Sequence, residues 1–106
     1  MTDEKKWFTE VYEDRVKFSY QIDRVLHEEQ TKFQKLEIVN TLEFGRMMIL
    51  DGFVMLTERD EFVYHEMISH IPMAFHHDVK NVLVIGGGDG GTVTEYTKYA
   101  LSLIHI

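Results

Sequence analysis

The sequence predicts an α/β protein in two parts, a small antiparallel β-sheet over residues 1–57 and the start of an open parallel α/β sheet over residues 58–106. Three observations predict it. Val16-Lys17-Phe18-Ser19-Tyr20-Gln21-Ile22 alternates apolar and polar with period two, the pattern of a half-buried strand. Asp51-Gly52 stands between two apolar runs, a strong hairpin signal because both central positions of that turn favour positive φ. Asn81-Val82-Leu83-Val84-Ile85 is a continuous, mostly β-branched run of the buried parallel type, and it leads directly into a glycine cluster.

Taken in order, Val16–Ile22 is followed by Val25–Thr31 and Lys35–Val39 as the next two strands. Gly45 punctuates, and Arg46–Leu50 and Phe53–Leu56 flank the Asp51-Gly52 turn. The antiparallel sheet therefore runs from about residue 7 to 57, with Met47, Met48 and Met55 as core filling. At Thr57 the pattern changes. Thr57 reads as an N-cap before acidic first-turn residues, and Phe62, Val63, Glu66, Met67 and His70 follow at helical spacing. Pro72 ends that helix or begins the next connection, and His76-His77-Asp78 is a polar break. After the glycines a second helix is expected from about Thr92 to Tyr99.

Composition sets outer limits on function. The 106 residues carry 11 Lys plus Arg against 18 Asp plus Glu, a formal net charge of -7. That balance argues against a general nucleic-acid binder, whose affinity comes largely from cations on phosphate, and favours neutral or cationic partners. With no cysteine there is no disulfide scaffold, thiolate metal site or Cys nucleophile. Met1–Trp7 lacks the apolar region of a secretory signal, and no 18-residue apolar run predicts a membrane span, so a cytoplasmic protein is expected.

Five of the seven glycines lie between Gly86 and Gly91. A strand, a glycine turn and a helix form the opening unit of an open α/β sheet, which binds ligands at the carboxyl ends of its strands. Gly86-x-Gly88-x-x-Gly91 satisfies the dinucleotide fingerprint in form. Asp89, however, sits where a pyrophosphate would have to lie, and a carboxylate there repels phosphate while suiting an amine or a sulfonium. The loop thus matches an S-adenosylmethionine-like ligand better than NAD, with a ligand-free tight turn as the bland reading.

In the block Thr57–Glu66, five of ten residues are ionised, with Tyr64 and His65 among them. An aromatic ring beside carboxylates can seat an organic cation, although a charged helix start standing alone is ordinarily solvated surface. The histidines do not make a metal motif. His65 and His70 are five apart, one too many for the zinc-protease spacing, and His76-His77 has no carboxylate at ligand spacing beyond Asp78. No serine occupies a nucleophile-elbow context.

Gln34-Lys35-Leu36, Phe44-Gly45-Arg46, Leu50-Asp51-Gly52, Thr57–Met67 and Gly86–Gly91 follow one another in a succession that resembles the spermidine synthase (polyamine aminopropyltransferase) family, most closely its bacterial members, over roughly residues 5–98. The resemblance implies an N-terminal β-strand assembly domain, then a Rossmann-like domain of the methyltransferase type. It implies aminopropyl transfer from decarboxylated S-adenosylmethionine to putrescine, giving spermidine and methylthioadenosine. No metal or cofactor is implied, since the decarboxylated nucleoside is a co-substrate, and a homo-oligomer, dimer or tetramer, is.

By the same resemblance Gln34, Gly86, Gly88 and Asp89 are donor-binding and Tyr64, His65 and Asp89 are polyamine-binding. The family's catalytic aspartates find no counterpart in this chain. After Lys98 the likeness stops. Tyr99–Ile106 is not expected to form a second strand ending in a ribose-binding acid, which leaves a truncated Rossmann-like start of one strand and two helices with Val82–Ile85 and Leu101–Ile104 exposed. A truncated product of an interrupted reading frame, inactive alone, is the expectation. The alternatives are a non-catalytic assembly module that associates with itself or with full-length synthase, and an S-adenosylmethionine-dependent methyltransferase.

Overall fold

The structure, a computed structural model, describes residues 4–106. The absence of a signal segment was read partly from residues 1–3, which lie outside the described residues. The chain divides into two compact units, Met1–Asp60 and Glu61–Ile106.

The first unit is a five-stranded antiparallel meander in the order β1 (Lys6–Tyr12), β2 (Val16–Gln30), β3 (Lys35–Thr41), β4 (Gly45–Leu50) and β5 (Phe53–Thr57). Two strands differ from the sequence expectation. The segments Val16–Ile22 and Val25–Thr31 are one strand, β2, whose period-two pattern breaks at two register shifts, Ile22/Arg24 and Val25/His27, rather than at a turn. Such irregularities bend a strand without ending it. Before the shifts β2 pairs with β1, and after them with β3, so the bend falls where the strand changes partner. β1 adds a strand ahead of Val16, joined to β2 through Glu13 and Asp14 at φ 50° and 55°.

The Asp51-Gly52 turn forms as expected, with φ of 49° and 83° and Leu50 opposite Phe53. The sheet curls far enough for its edge strands to meet. The carboxylate of Glu10 on β1, 3% exposed, accepts the backbone N–H of Val54 on β5, and the Tyr12 and Phe53 rings lie 5.6 Å apart. The hydrogen bond to Glu10 is the main reason the Tyr12 hydroxyl is pushed up to about 12. Val39, Met47 and Ile49 form the core, with Phe8, Tyr20, Ile22 and Val54 packed against it. Met47 belongs to this core as expected, whereas Met55 is 49% exposed.

The β3–β4 turn holds most of the charged block that precedes the helix. Glu58 takes the Arg46 amide at 3.1 Å and pairs with the Arg46 guanidinium; these contacts, the backbone N–H first, hold its carboxyl below the usual range. Arg59 pairs with Glu43 and lies 5.5 Å over the Phe44 ring. Gly45 is required here, since its φ is +73° and an added Cβ would stand 2.6 Å from Glu58 Oε2. Gly45→Ala is expected to destabilise the sheet by about 1–2 kcal/mol, through left-handed strain and displacement of Glu58, read as a lowered unfolding midpoint.

The second unit contains α1 (Glu61–Phe75), β6 (Asn81–Val84), α2 (Gly91–Tyr96) and β7 (Ser102–His105). Thr57 ends β5 rather than directly preceding the helix, which starts at Glu61. Its hydroxyl accepts the Asp60 amide at 3.4 Å, a cap-type bond, and bonds the Asp60 carboxylate. Pro72 does not end α1, which runs one turn further, with the His76 amide on the Pro72 carbonyl at 3.0 Å. A proline's φ is helical and it forfeits one bond only, so a late position can be absorbed.

The segment after Tyr99 also departs from expectation. Ser102–His105 forms a second strand parallel to β6, in the register Asn81↔Ser102 to Val84↔His105, so this unit holds two strands and two helices. The exposure anticipated for these apolar runs is partial: Val84 is buried, while Leu83, Ile85 and Ile104 are more than half exposed.

Candidate functional site

The glycine loop follows β6 directly. Gly86, Gly87 and Gly90 have positive φ (85°, 62° and 79°), conformations that suit glycine, while Gly88 faces open space. Asp89 turns back on the loop, its Oδ1 accepting the Gly91 N–H at 2.8 Å. One amide of the first turn of α2 is therefore already answered by a carboxylate of the chain itself.

His65 is the second element of the site. It occupies the buried face of α1 with Ser69, four residues on, while Phe62, Val63 and Met67 at helical spacing remain exposed. Its ring, 3% exposed, lies against Gly91 so closely that an added Cβ would be 2.1 Å from Cε1. Its Nε2 is 3.3 Å from Asp89 Oδ1, and its Nδ1 is 3.8 Å from Glu61 Oε2. His65 and Asp89, far apart in sequence, are thus brought together by the contact of α1 with the loop. Tyr64 is beside them, its ring 5.5 Å from that of His65 and largely exposed.

Gln34 belongs to the first unit. It is exposed in the β2–β3 turn, where Thr31 Oγ1 accepts its amide at 3.0 Å and donates to its carbonyl at 2.8 Å. Of the charged block, Glu58, Arg59 and Asp60 are engaged in the local contacts of the sheet unit, and the segment that supplies site residues begins at Glu61.

A second polar network, not legible in the sequence, pins α2 to α1. Buried Glu95 accepts from His70 Nε2 and Lys98 Nζ, both at 2.7 Å, and His70 Nδ1 is 2.6 Å from the Tyr99 hydroxyl. The only sequence signal was His70 on the helical stripe. Lys98, then His70, holds the Glu95 carboxyl below the ordinary 4.5. A carboxyl lowered by folding stabilises the fold above its unfolded value, and that contribution is lost as pH falls through 4.5 toward the folded value. Wild type is therefore expected to lose more of its unfolding midpoint than Glu95→Gln between about pH 6 and pH 3, measured by thermal unfolding at each pH.

Among the described residues no group of three or more His, Asp or Glu is arranged to hold a metal ion, and no helix is long and apolar enough to cross a membrane. An apolar hollow of about 470 Å³ in the second unit, bounded by Pro72, Met73, Phe75, Val79 and Tyr96, contains none of the candidate residues.

Two family models divide the chain as its architecture does. The spermidine synthase tetramerisation domain matches residues 6–58, and the spermine/spermidine synthase domain matches residues 61–106. The chain belongs to the spermidine synthase family. Among curated members of that family, the polyamine aminopropyltransferase of Clostridium botulinum (strain Eklund 17B / Type B) is 55% identical over 93 residues, covering 88% of this chain and 33% of the relative. That of Bacillus cereus (strain ATCC 10987 / NRS 248) is 56% identical, covering 88% and 34%.

The crystal structure of spermidine synthase from Thermotoga maritima superposes with a TM-score of 0.87 at 40% identity, over 94% of this chain and 36% of the other. A spermidine synthase in complex with the transition-state analogue AdoDATO matches equally well, with a TM-score of 0.87, covering 94% of this chain and 35% of that structure. The chain thus spans about a third of the length of the spermidine synthase relatives it matches.

Proposed function

We propose that this chain supplies the assembly sheet and the first part of the substrate site of an enzyme that transfers an aminopropyl group from decarboxylated S-adenosylmethionine to putrescine. The observation that carries this reading is the Asp89 carboxylate, held in the glycine loop by the Gly91 amide and His65. A fixed anion at the end of a parallel strand suits a cationic group of the ligand. In this reading Asp89 takes the ammonium end of the aminopropyl chain and, with the exposed ring of Tyr64, the cationic acceptor. Gly86 and Gly88 let the donor approach the backbone. His65, being buried, acts through Asp89.

The reaction balances without a redox partner or metal. The lone pair of a neutral primary amine forms a C–N bond to the carbon next to the sulfonium. The C–S bond breaks, its electron pair stays on sulfur as neutral methylthioadenosine, and the new ammonium releases a proton. Positioning supplies much of the rate, because the sulfonium is already a good leaving group. None of this chain's residues is assigned the proton-accepting role, and purified chain mixed with putrescine and decarboxylated donor is expected to form no spermidine.

Binding tests the site itself. Calorimetry should show the decarboxylated donor bound in preference to S-adenosylmethionine, whose extra carboxylate would face Asp89, and Asp89→Asn should abolish that preference. Equal affinity for the two, or preference for S-adenosylmethionine, overturns the reading and favours a methyltransferase. A second reading, an assembly module without catalysis, is favoured by the match of residues 6–58 to a tetramerisation domain. It requires dimers or larger species in sedimentation, and monomer alone at high micromolar concentration removes it.

A further inference from the structure

The His65 ring sits between two carboxylates. Its Nε2 is 3.3 Å from Asp89 Oδ1, and its Nδ1 is 3.8 Å, an ion-pair distance, from Glu61 Oε2. A carboxylate oxygen only accepts, so both nitrogens are served only when each carries a proton, and the ring is then a cation. A neutral ring would turn a lone pair toward one of the two carboxylates, at a residue 3% exposed. On α1 the ring faces Glu61 and the Tyr64 ring, in the glycine loop Asp89, and on α2 Gly91. The carboxylate of α2, Glu95, is taken by His70 and Lys98. Among the described residues neither Glu61 nor Asp89 pairs with a lysine or arginine, so His65 is the cation that answers both.

The two oxygens of Asp89 are unequal. Oδ1 takes the Gly91 amide at 2.8 Å and faces His65, whereas Oδ2 has no hydrogen-bond partner among the described residues. A cationic ligand on Oδ2 would share one carboxylate, 24% exposed, with a ring that already bears charge. Two cations on one such group repel, and the repulsion is relieved when the ring gives up a proton. Glu61, whose side chain is 45% exposed, leads from the ring to solvent.

We propose that His65 holds a displaceable proton, and that an ammonium seated on Asp89 releases it. The proton passes to the buffer, the ligand keeps its own protons, and no other bond forms or breaks. The proposal rests on the reading of Asp89 as a cation seat and adds a regulation to it. The free protein holds more protons than the complex, so the complex is favoured as pH rises. Release of at most one proton changes the affinity by at most about tenfold per pH unit.

Calorimetry of putrescine binding to the full 106-residue chain, in phosphate and in Tris at the same pH, counts the protons exchanged. The two enthalpies should differ in the sense of release, by about 0.3 to 1 proton, and the affinity should rise about tenfold from pH 6 to pH 8. Long-range ¹H–¹⁵N spectra should show both ring nitrogens of His65 protonated in the free protein and one of them after saturation. His65→Gln keeps a donor for Asp89 but has no proton to lose, so it should release none and bind with an affinity independent of pH. His77→Gln, at an exposed histidine beyond α1, should release as wild type does.

Putrescine binding with no proton released, or with a proton taken up, overturns the proposal and leaves the cation seat standing. A single N–H on the free His65 ring does the same. Release that persists in His65→Gln also overturns it, since another group then supplies the proton. No putrescine binding at all overturns the seat and the proposal together. The wild-type proton count and ring spectra decide even where a variant fails to fold.

Discussion

Alanine at position 91 is expected to disrupt the second unit, although it adds one methyl group. The new Cβ would lie 2.1 Å from Cε1, 2.3 Å from Nδ1 and 2.4 Å from Nε2 of His65. Those are ring atoms of a side chain only 3% exposed, on the same buried face as fully buried Ser69. The ring cannot swing to solvent without separating α1 from the loop, so the cost belongs with the larger overpacking penalties, about 3 kcal/mol. Hydrogen exchange of the α1 and β6 amides should accelerate, and binding of a cationic ligand at Asp89 should be lost with the Asp89–His65 contact. Gly88→Ala is the control, since its added Cβ meets nothing within 4 Å. Combining Gly91→Ala with His65→Ala should recover part of the lost stability, because the ring that clashes is gone. A Gly91→Ala protein with wild-type exchange rates would show the contact to be less tight than the geometry states.

Where local chemistry decided the structure, the sequence was legible. Asp51-Gly52 named its turn because two adjacent positive φ values favour few residues. The Glu13-Asp14 turn adopts positive φ at both positions without a glycine, so it carried no such signal, and β1 fell within the expected sheet from residue 7 without being delimited. β2 was read as two strands because an interruption of period two looks the same in sequence whether the chain turns or merely shifts register. Only pairing with β1 on one side and β3 on the other distinguishes them.

The site was legible to the extent that single residues declared their chemistry. The charge of Asp89 argues against phosphate, and the structure places its Oδ1 on the Gly91 amide. What the sequence could not supply was partnership. The contact of His65 with Gly91 and the Glu95–His70–Tyr99 network join residues 25 or more positions apart. Gly91 looked like a glycine kept for a ligand, yet the neighbour that requires it is a histidine of α1. β7 was missed for a related reason. Ser102–His105 is too short to carry a period, and it becomes a strand through the bonds that β6 offers it.

Ile49→Ala is expected to have a comparable effect on the first unit, for the opposite physical reason. Ile49 is fully buried, and among the described residues the core around it contains two other buried apolar residues, Val39 and Met47. Truncation removes three carbons from the centre of that cluster. β4 is paired on both sides, with Ile49 opposite Glu37 on β3 and Val54 on β5, so the walls cannot close on the void. Buried aliphatic truncations of this kind cost about 2–5 kcal/mol, and a core this small has little stability to spare. Most of the first unit should therefore be unfolded at room temperature. Trp7, the only tryptophan, lies in β1 opposite Gln21 and reports on this sheet, so its fluorescence in a urea titration should show the native baseline lost. Met55→Ala, at a position 49% exposed, should shift the midpoint by no more than about 0.5 kcal/mol. Equal effects of the two substitutions would mean that the Val39–Met47–Ile49 cluster is not what holds the sheet.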